Sequence, residues 1–535
     1  MWLSSTAFKI SPLLRAYNPT VQENPVQGPA KGSNVLHLDS FRTQRQGQMP
    51  ISEALQFAMD HMNYGFTLIR PNEKKPLLKR LPPEDAFEHL QNATTIHIGD
   101  SHGNGLLFIE NMLMFGMLKV KNQESYKAFL DVYQALEEHN RPSYKMFIET
   151  REKGDFTYTE EMKQLDQEWL KKGGEPTQAK HPQKGGELAQ AERLLKLIEL
   201  LPDAIEVDES AVQKKKAICV GDELCDRGLD LILLEVVKMI REHENAKDDT
   251  LVFNLSNHAI DFYKAPQSVG KDLAILAKER EDFLNDPIRA KKGIKSLYNT
   301  RSMWDTYRWI TALPEGEEKT KLFEEYQTLL KKQYESHTLI HQEGHVVTTH
   351  AFVSKQTEQK WRDFLHSLDP VAFSDKDTSL HLQSGEAYQK TIAKINELTR
   401  AYLAYQMTDQ EQKEGILEQL NDETLKFLGE LISHTANERE KPKQPHWAHG
   451  GFQSLEEAGF VPPADLCNGK TPHRIYGHTG KKEEPANGML DKLKGLWVSC
   501  INHTVRKYED WQNLYVRKTV KKRKPHTENP VVIIN

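Results

Sequence analysis

Cysteine is scarce. The chain of 535 residues has four, Cys219, Cys225, Cys467 and Cys500, too few for a disulfide framework at this size. Cys219 and Cys225 have no second pair at zinc-ligand spacing, so these two read as small buried hydrophobes. Long apolar runs are also missing. Nowhere do about 18 apolar residues follow one another, which argues against a membrane-spanning helix. The opening MWLSSTAFKISPLLRAYNPT interrupts with polar residues the apolar stretch that a secretory signal needs. The expected location is therefore cytoplasmic. An excess of positive charge is lacking too: the net charge is −6 and the pI about 6.4, which argues against a nucleic-acid partner. The local exception, VRKTVKKRKPH near the C-terminus, reads as a solvated tail. A nuclear-localisation signal or a weak anionic-lipid contact at the membrane is its alternative.

What is present is enough apolar content, 38%, to build at least one large core. Residues 1–50 are rich in Pro, Gln, Asn, Ser and Gly without periodicity and read as a disordered leader. Order is expected to begin at ISEALQFAMDHMNYGF, where Ile51, Leu55, Phe57, Ala58 and Met62 mark an amphipathic helix. Six runs then read as strands: TTIHIGD, KKAICVGD, DTLVFNLSNH, GHVVTTHAFV, PHRIYGHTG and LKGLWVSCINH. Charged, helix-like stretches separate them, at about 123–210, 265–340 and 355–435. In the first of these, Leu194, Leu195, Leu197, Ile198 and Leu201 fit one buried helical face of an inserted helical hairpin, entered through the loop KKGGEPTQAKHPQKGG.

All of these strands but the last end in Asp, Asn or His. Asp100 and His102 follow the first, Asp222, Asp226 and Arg227 the second, Asn257 and His258 the third, His350 the fourth and His478 the fifth. Carboxyl ends of strands are where open α/β sheets gather their ligands. Taken singly, each piece has an ordinary explanation. Asp-x-His after a strand can be an Asx turn, and GDELCDRG can be a strand-to-helix turn with Gly221 in a tight conformation and Asp222 near the helix N-terminus. SNHA says almost nothing by itself, and His350 alone reads as a core histidine. Taken together, the carboxylate, amide and imidazole groups without thiolate suit hard or borderline divalent ions. Six such donors can hold two ions if Asp222 is shared, which is the arrangement for in-line displacement at phosphorus.

The order GDSHG, GDELCDRG, NH, H, GHT resembles the calcineurin-like metallophosphoesterases, in their phosphoprotein phosphatase (PPP) branch. GDSHGNGLLFIENMLMFG and CVGDELCDRGLDLILLEVV match both in motif and in the apolar helix that follows. The large helical insertions are similar to those of bacterial secreted effector phosphatases of the Legionella Wip type, which implies delivery into a host cell. The fold the resemblance implies is an α/β metallophosphoesterase-type β-sandwich flanked by helices. It carries a phosphatase domain over 51–510, interrupted by the three insertions, and a basic C-terminal tail at 511–535.

The resemblance implies two divalent metal ions, Mn²⁺ or else Fe or Zn. Asp100, His102, Asp222, Asn257, His350 and His478 would be the ligands. His258 would be the general acid, Asp226 would orient it, and Arg227 would grip the phosphoryl oxygens. A bridging hydroxide would attack a phosphomonoester of a phosphoprotein, on Ser/Thr or Tyr, with the helical insertions available for docking that protein. A dinucleoside polyphosphate or nucleotide hydrolase, and a decayed phosphatase fold kept for binding, are the alternatives.

The family's GNHE is Ser256-Asn257-His258-Ala259 here, and its HGG is His350-Ala351-Phe352. His449 in HWAHGGF rivals His350, but only His350 follows a strand-like run. A second phosphate-binding arginine stays open among Arg362, Arg400 and Arg439.

Overall fold

The structure, a computed structural model, describes residues 52–62, 64–70, 77–99, 103–137, 161, 164, 185–224, 229–264, 301–407, 414–438, 458–477, 489–493, 496–500 and 528–534. The strands in chain order are β1 (Gly65–Arg70), β2 (Leu77–Leu81), β3 (Thr95–Ile98), β4 (Leu118–Val120), β5 (Ile205–Val207), β6 (Lys216–Cys219), β7 (Leu251–Asn254), β8 (His337–Thr338), β9 (His341–Glu343), β10 (Val346–Thr349), β11 (His473–Tyr476), β12 (Met489–Leu493), β13 (Leu496–Cys500) and β14 (Glu528–Ile534). The six runs expected from the sequence are β3, β6, β7, β10, β11 and β13. Each is rich in β-branched or apolar residues and bounded by turn formers, the composition that suits a buried sheet.

Seven strands form one sheet in the order β2-β1-β14-β3-β6-β7-β8, and five form a second in the order β12-β13-β11-β10-β9. In the first sheet β3, β6, β7 and β8 run parallel to one another. In the second, β10, β11 and β13 do so. The two sheets meet through a small apolar layer, in which Ile69, Val220 and Val532 from the larger pack with Val346 and Ile475 from the smaller. His97 on β3 also reaches across, its Nδ1 lying 3.0 Å from Thr348 Oγ1 on β10. The chain is thus of mixed α/β class with largely parallel sheets and many helices.

Helices cover the remaining faces. Gly105–Phe115 follows β3 and is buried along its whole length, its N-terminus capped by Asn104 Oδ1, which accepts from Leu107 N–H at 2.9 Å. It crosses Asp230–Arg241 closely at Gly105, where an added Cβ would lie 3.1 Å from Leu233 N and 3.2 Å from Leu229 O. The first insertion is a helical hairpin in its described part. Gln123–Glu137 packs on Gly185–Ala204, with Tyr126, Phe129 and Tyr133 facing Leu194, Leu197 and Leu201 in the core, and the β4–β5 ladder closes its base. The second insertion contributes Arg301–Ala312 and Glu317–Glu335, then ends in β8 at the sheet edge. The third supplies Lys355–Leu368, Gly385–Met407 and Asp422–Ala436, which build a separate core around Trp361, Tyr388, Ile395 and Leu428.

Near the N-terminus, the expected amphipathic helix spans Glu53–Asp60 and turns Ala58 and Met59 inward. Cys219 and Cys467 are buried free thiols, pushed up in pKa by burial first of all. Among the described residues no helix is long and apolar enough to cross a membrane.

One segment differs from expectation. Residues 528–534 are not tail: β14 lies inside the larger sheet, parallel to β1 and antiparallel to β3. Val531, Val532 and Ile533 are fully buried there. The physical reason is plain in retrospect, since PVVII is a β-branched run, but its partners lie at the opposite end of the chain. Pro530 precedes the first residue paired to β3, Val531, so its missing N–H falls where only β1 flanks it. Residues 501–527, with the basic run, and the leader 1–50 lie outside the described residues.

Candidate functional site

The site starts at the end of β6. Val220 N–H donates to Ile98 O at 3.0 Å, so β3 and β6 end side by side. The chain then turns through Gly221, whose φ is 121°, and Asp222, whose φ is 54°. No side chain could stand at 221: a Cβ there would lie 2.6 Å from His350 Nδ1 and 2.8 Å from Ser256 Cβ. Asp222 occupies the left-handed region without being glycine, a conformation that costs energy and concentrates at functional positions. It is almost completely buried.

β7 delivers the next pair. After Asn254 the chain passes Ser256, whose Oγ accepts from Ala259 N–H at 3.1 Å and caps the helix Asn257–Lys264. Ser256 thus serves as a helix cap, and Ala259 sits fully buried in the apolar core behind the site. Asn257 and His258 come from the first turn of that helix.

His350 arrives from the other sheet, one residue past β10. Its Nδ1 lies 3.1 Å from Val220 O, so Nδ1–H donates to that carbonyl and Nε2 presents its lone pair. Nε2 faces Asn257 Oδ1 at 2.9 Å and Asp222 Oδ1 at 3.4 Å. His258 Nε2 stands 3.8 Å from Asp222 Oδ2. Burial depresses the His350 pKa, partly opposed by the Asp222 charge and reinforced by His258, which keeps the ring neutral. A neutral imidazole anchored through its other nitrogen to a backbone carbonyl is how metal-binding histidines are oriented.

The donor set fits a divalent cation: carboxylate oxygen, amide oxygen and an imidazole lone pair converge with no thiolate. Two oxygens facing one nitrogen lone pair repel unless something positive lies among them. Among the described residues, no group of three or more His, Cys, Asp or Glu side chains is by itself arranged to hold an ion. Asp100, His102 and His478 would have to complete it.

Asp222, Asn257, His258 and His350 are thus brought together from three strand ends in two sheets. Asp100, His102, Asp226, Arg227 and His478 lie outside the described residues, as do His449 and Arg439. Their neighbours do bear on the site: Ile98, two residues before Asp100, ends β3 bonded to Val220, and Gly477 N–H donates to His350 O at 3.0 Å. Ala351 is fully buried, and Phe352 packs edge-on against Tyr476 at 5.1 Å, so apolar packing follows His350 directly. Arg362 is committed elsewhere, to Glu358 at 3.3 Å and to the carbonyl of Thr378 at 2.9 Å. Arg400 sits on the helix Gly385–Met407.

Two residues escaped sequence reasoning. Glu223, next to Asp222, is fully buried and pairs with His337 on β8, Oε1 to Nε2 at 2.5 Å. No local signal distinguishes this glutamate from a solvated one, because its partner belongs to a two-residue strand more than a hundred positions away. Compared with known proteins, the chain matches no family model and no curated protein.

Proposed function

We propose that this protein is a metal-dependent phosphatase of the PPP type, acting on phosphomonoesters of a phosphoprotein at a binuclear divalent-metal site. The finer fold reading, a metallophosphoesterase-type sandwich, belongs to the same proposal and is supported by two facing sheets whose strand ends share one site. The observation that carries it is the meeting of Asp222, Asn257, His258 and His350 within 3.8 Å contacts, in the motif order that suggested them.

In this reading Asp100, His102, Asp222, Asn257, His350 and His478 hold the ions. Once bound, such ions supply Lewis-acid activation of water and neutralise phosphoryl charge. The chain's own groups do the rest. Val220 O fixes the His350 tautomer, so that its Nε2 stays a donor of electrons. His258, its Nε2 3.8 Å from Asp222 Oδ2, donates a proton to the departing alcohol oxygen. Arg227 grips the non-bridging phosphoryl oxygens through its planar fork, and Asp226 orients His258.

The test is phosphate release from phosphoseryl, phosphothreonyl and phosphotyrosyl peptides, with and without Mn²⁺, beside cleavage of a dinucleoside tetraphosphate. Mn²⁺-dependent release from peptides is expected. Asp222→Asn should abolish it and His258→Ala should slow it roughly 10²–10⁴-fold. Wild-type turnover in Asp222→Asn would refute the assignment, and preference for the dinucleotide would move the substrate class.

A further inference from the structure

Two buried carboxylates, Glu223 within the motif GDELCDRG and Asp230 two residues past it, flank the stretch 224–229, and both are held by the second helical insertion. On the near side, Glu223 Oε1 accepts from His337 Nε2 at 2.5 Å and from Gln333 Nε2 at 3.2 Å. Gln333 Oε1 accepts in turn from Arg241 Nη1 at 3.0 Å, and Arg241 lies over the Phe253 ring of β7. On the far side, Asp230, the first residue of Asp230–Arg241, accepts from Thr306 Oγ1 at 2.7 Å and from the Tyr326 hydroxyl. Thr306 belongs to Arg301–Ala312; Tyr326 and Gln333 both belong to Glu317–Glu335. The chain between Glu223 and Asp230 carries Asp226 and Arg227.

Burying a carboxylate is costly unless it is well partnered. Apolar side chains at 223 and 230 would anchor the insertion to the core without that cost. Directional bonds do what apolar contacts do not: they fix the distance and angle between two backbone points. Within helix Glu317–Glu335, Tyr326 and Gln333 stand about two turns apart on a rigid rod, and these two residues set where the chain leaves β6 and where it enters the next helix. The first of these points is adjacent to Asp222, whose backbone is held in the left-handed region.

We infer that the segment 301–338 is a clamp on the phosphate-binding motif, in which Glu223 and Asp230 are positioning residues and Tyr326, Gln333 and His337 hold them. This rests on the phosphatase reading above. It gives the second insertion a role in the reaction itself, distinct from docking a protein substrate.

The test uses the full chain and the shape-conserving variants Tyr326→Phe and Glu223→Gln, with p-nitrophenyl phosphate and Mn²⁺ for kcat and KM. Inorganic phosphate serves as competitive inhibitor, thermal unfolding reports stability, and hydrogen exchange is followed in peptides spanning 221–233. The expected result is faster exchange in those peptides and a loss of roughly 3- to 30-fold in kcat/KM with weaker phosphate inhibition. The thermal midpoint should move by only a few degrees, and Glu223→Asp, which keeps the charge but shortens the reach, should lose at least as much kcat/KM as Glu223→Gln. A purely structural anchor would lower the midpoint and leave kcat, KM and local exchange as in the wild type; that outcome overturns the clamp. An active wild type with unaltered variants defeats the clamp alone, whereas a wild type without phosphatase activity defeats the reading it rests on.

Discussion

His350 shows how one side chain can tie two sheets to one site. Its ring is caught between a carbonyl at the end of β6 and an amide at the start of the helix after β7, and the space it needs exists because residue 221 has no side chain. Away from the site, histidines in the sheet interior create a liability. Burial lowers the pKa of His473 to about 3, helped by His345, and lowers that of His97 well below its usual value, with His341, His473 and Lys216 acting in the same direction and Glu343 against it. Both rings are neutral when folded and titrate near 6.5 when unfolded. Below that value the unfolded chain binds more protons, so stability falls with pH, by about 1.4 kcal/mol per unit for each such proton. Urea unfolding between pH 7.5 and 4.5 should therefore show a midpoint that is flat above about 7 and declines below about 6.5. Replacing His473 with Gln should flatten part of that decline; an unchanged slope would exonerate this residue.

Among the elements, β14 bears most directly on stability. Three consecutive residues between β1 and β3 are fully buried, Val532 against the second sheet and Val531 and Ile533 in the main core on the other face. At about 1.5–3 kcal/mol for each buried side chain, their loss rivals the total stability of a typical domain, about 5–15 kcal/mol. A chain ending at 527 should accordingly show no cooperative thermal transition by circular dichroism. The milder Ile533→Ala should cost about 2–5 kcal/mol in denaturant unfolding. The individual strands were legible because period, β-branching and flanking turn residues are local. β14 was not, since its apolar run follows a basic segment and its partners are β1 and β3. β8 was invisible for a different reason: two residues carry no periodicity at all. The helices after β3 and β6 were legible from their apolar runs, as was the hairpin face of Leu194, Leu197 and Leu201.

At the scale of the molecule, metal binding and folding should be coupled, because the donors come from strands in both sheets. An ion that binds only the assembled site stabilises it by mass action, by about 2.7 kcal/mol at a hundred times its dissociation constant. Adding Mn²⁺ to chelator-treated protein should therefore raise the thermal midpoint, and Asp222→Asn should remove most of that rise. No shift in the wild type would count against a metal site without any assay of catalysis. The convergence that makes this expectation reasonable was suggested by motif order, yet order alone could not show that Asp222, Asn257, His258 and His350 meet.

The amino-acid sequence by itself determined the element types and the chemistry on offer: strand-forming runs, the glycine before Asp222, and acidic, amide and imidazole groups at the strand ends. These are consequences of short-range sterics and side-chain chemistry, readable within a few residues. Only the tertiary structure decided which strand ends share a site, that β14 inserts between β1 and β3 inside the larger sheet, and that Glu223 and Asp230 face an insertion instead of solvent. Those are pairings between residues far apart in the chain, selected by the burial and hydrogen bonding of the whole, and no local stretch contains the partner.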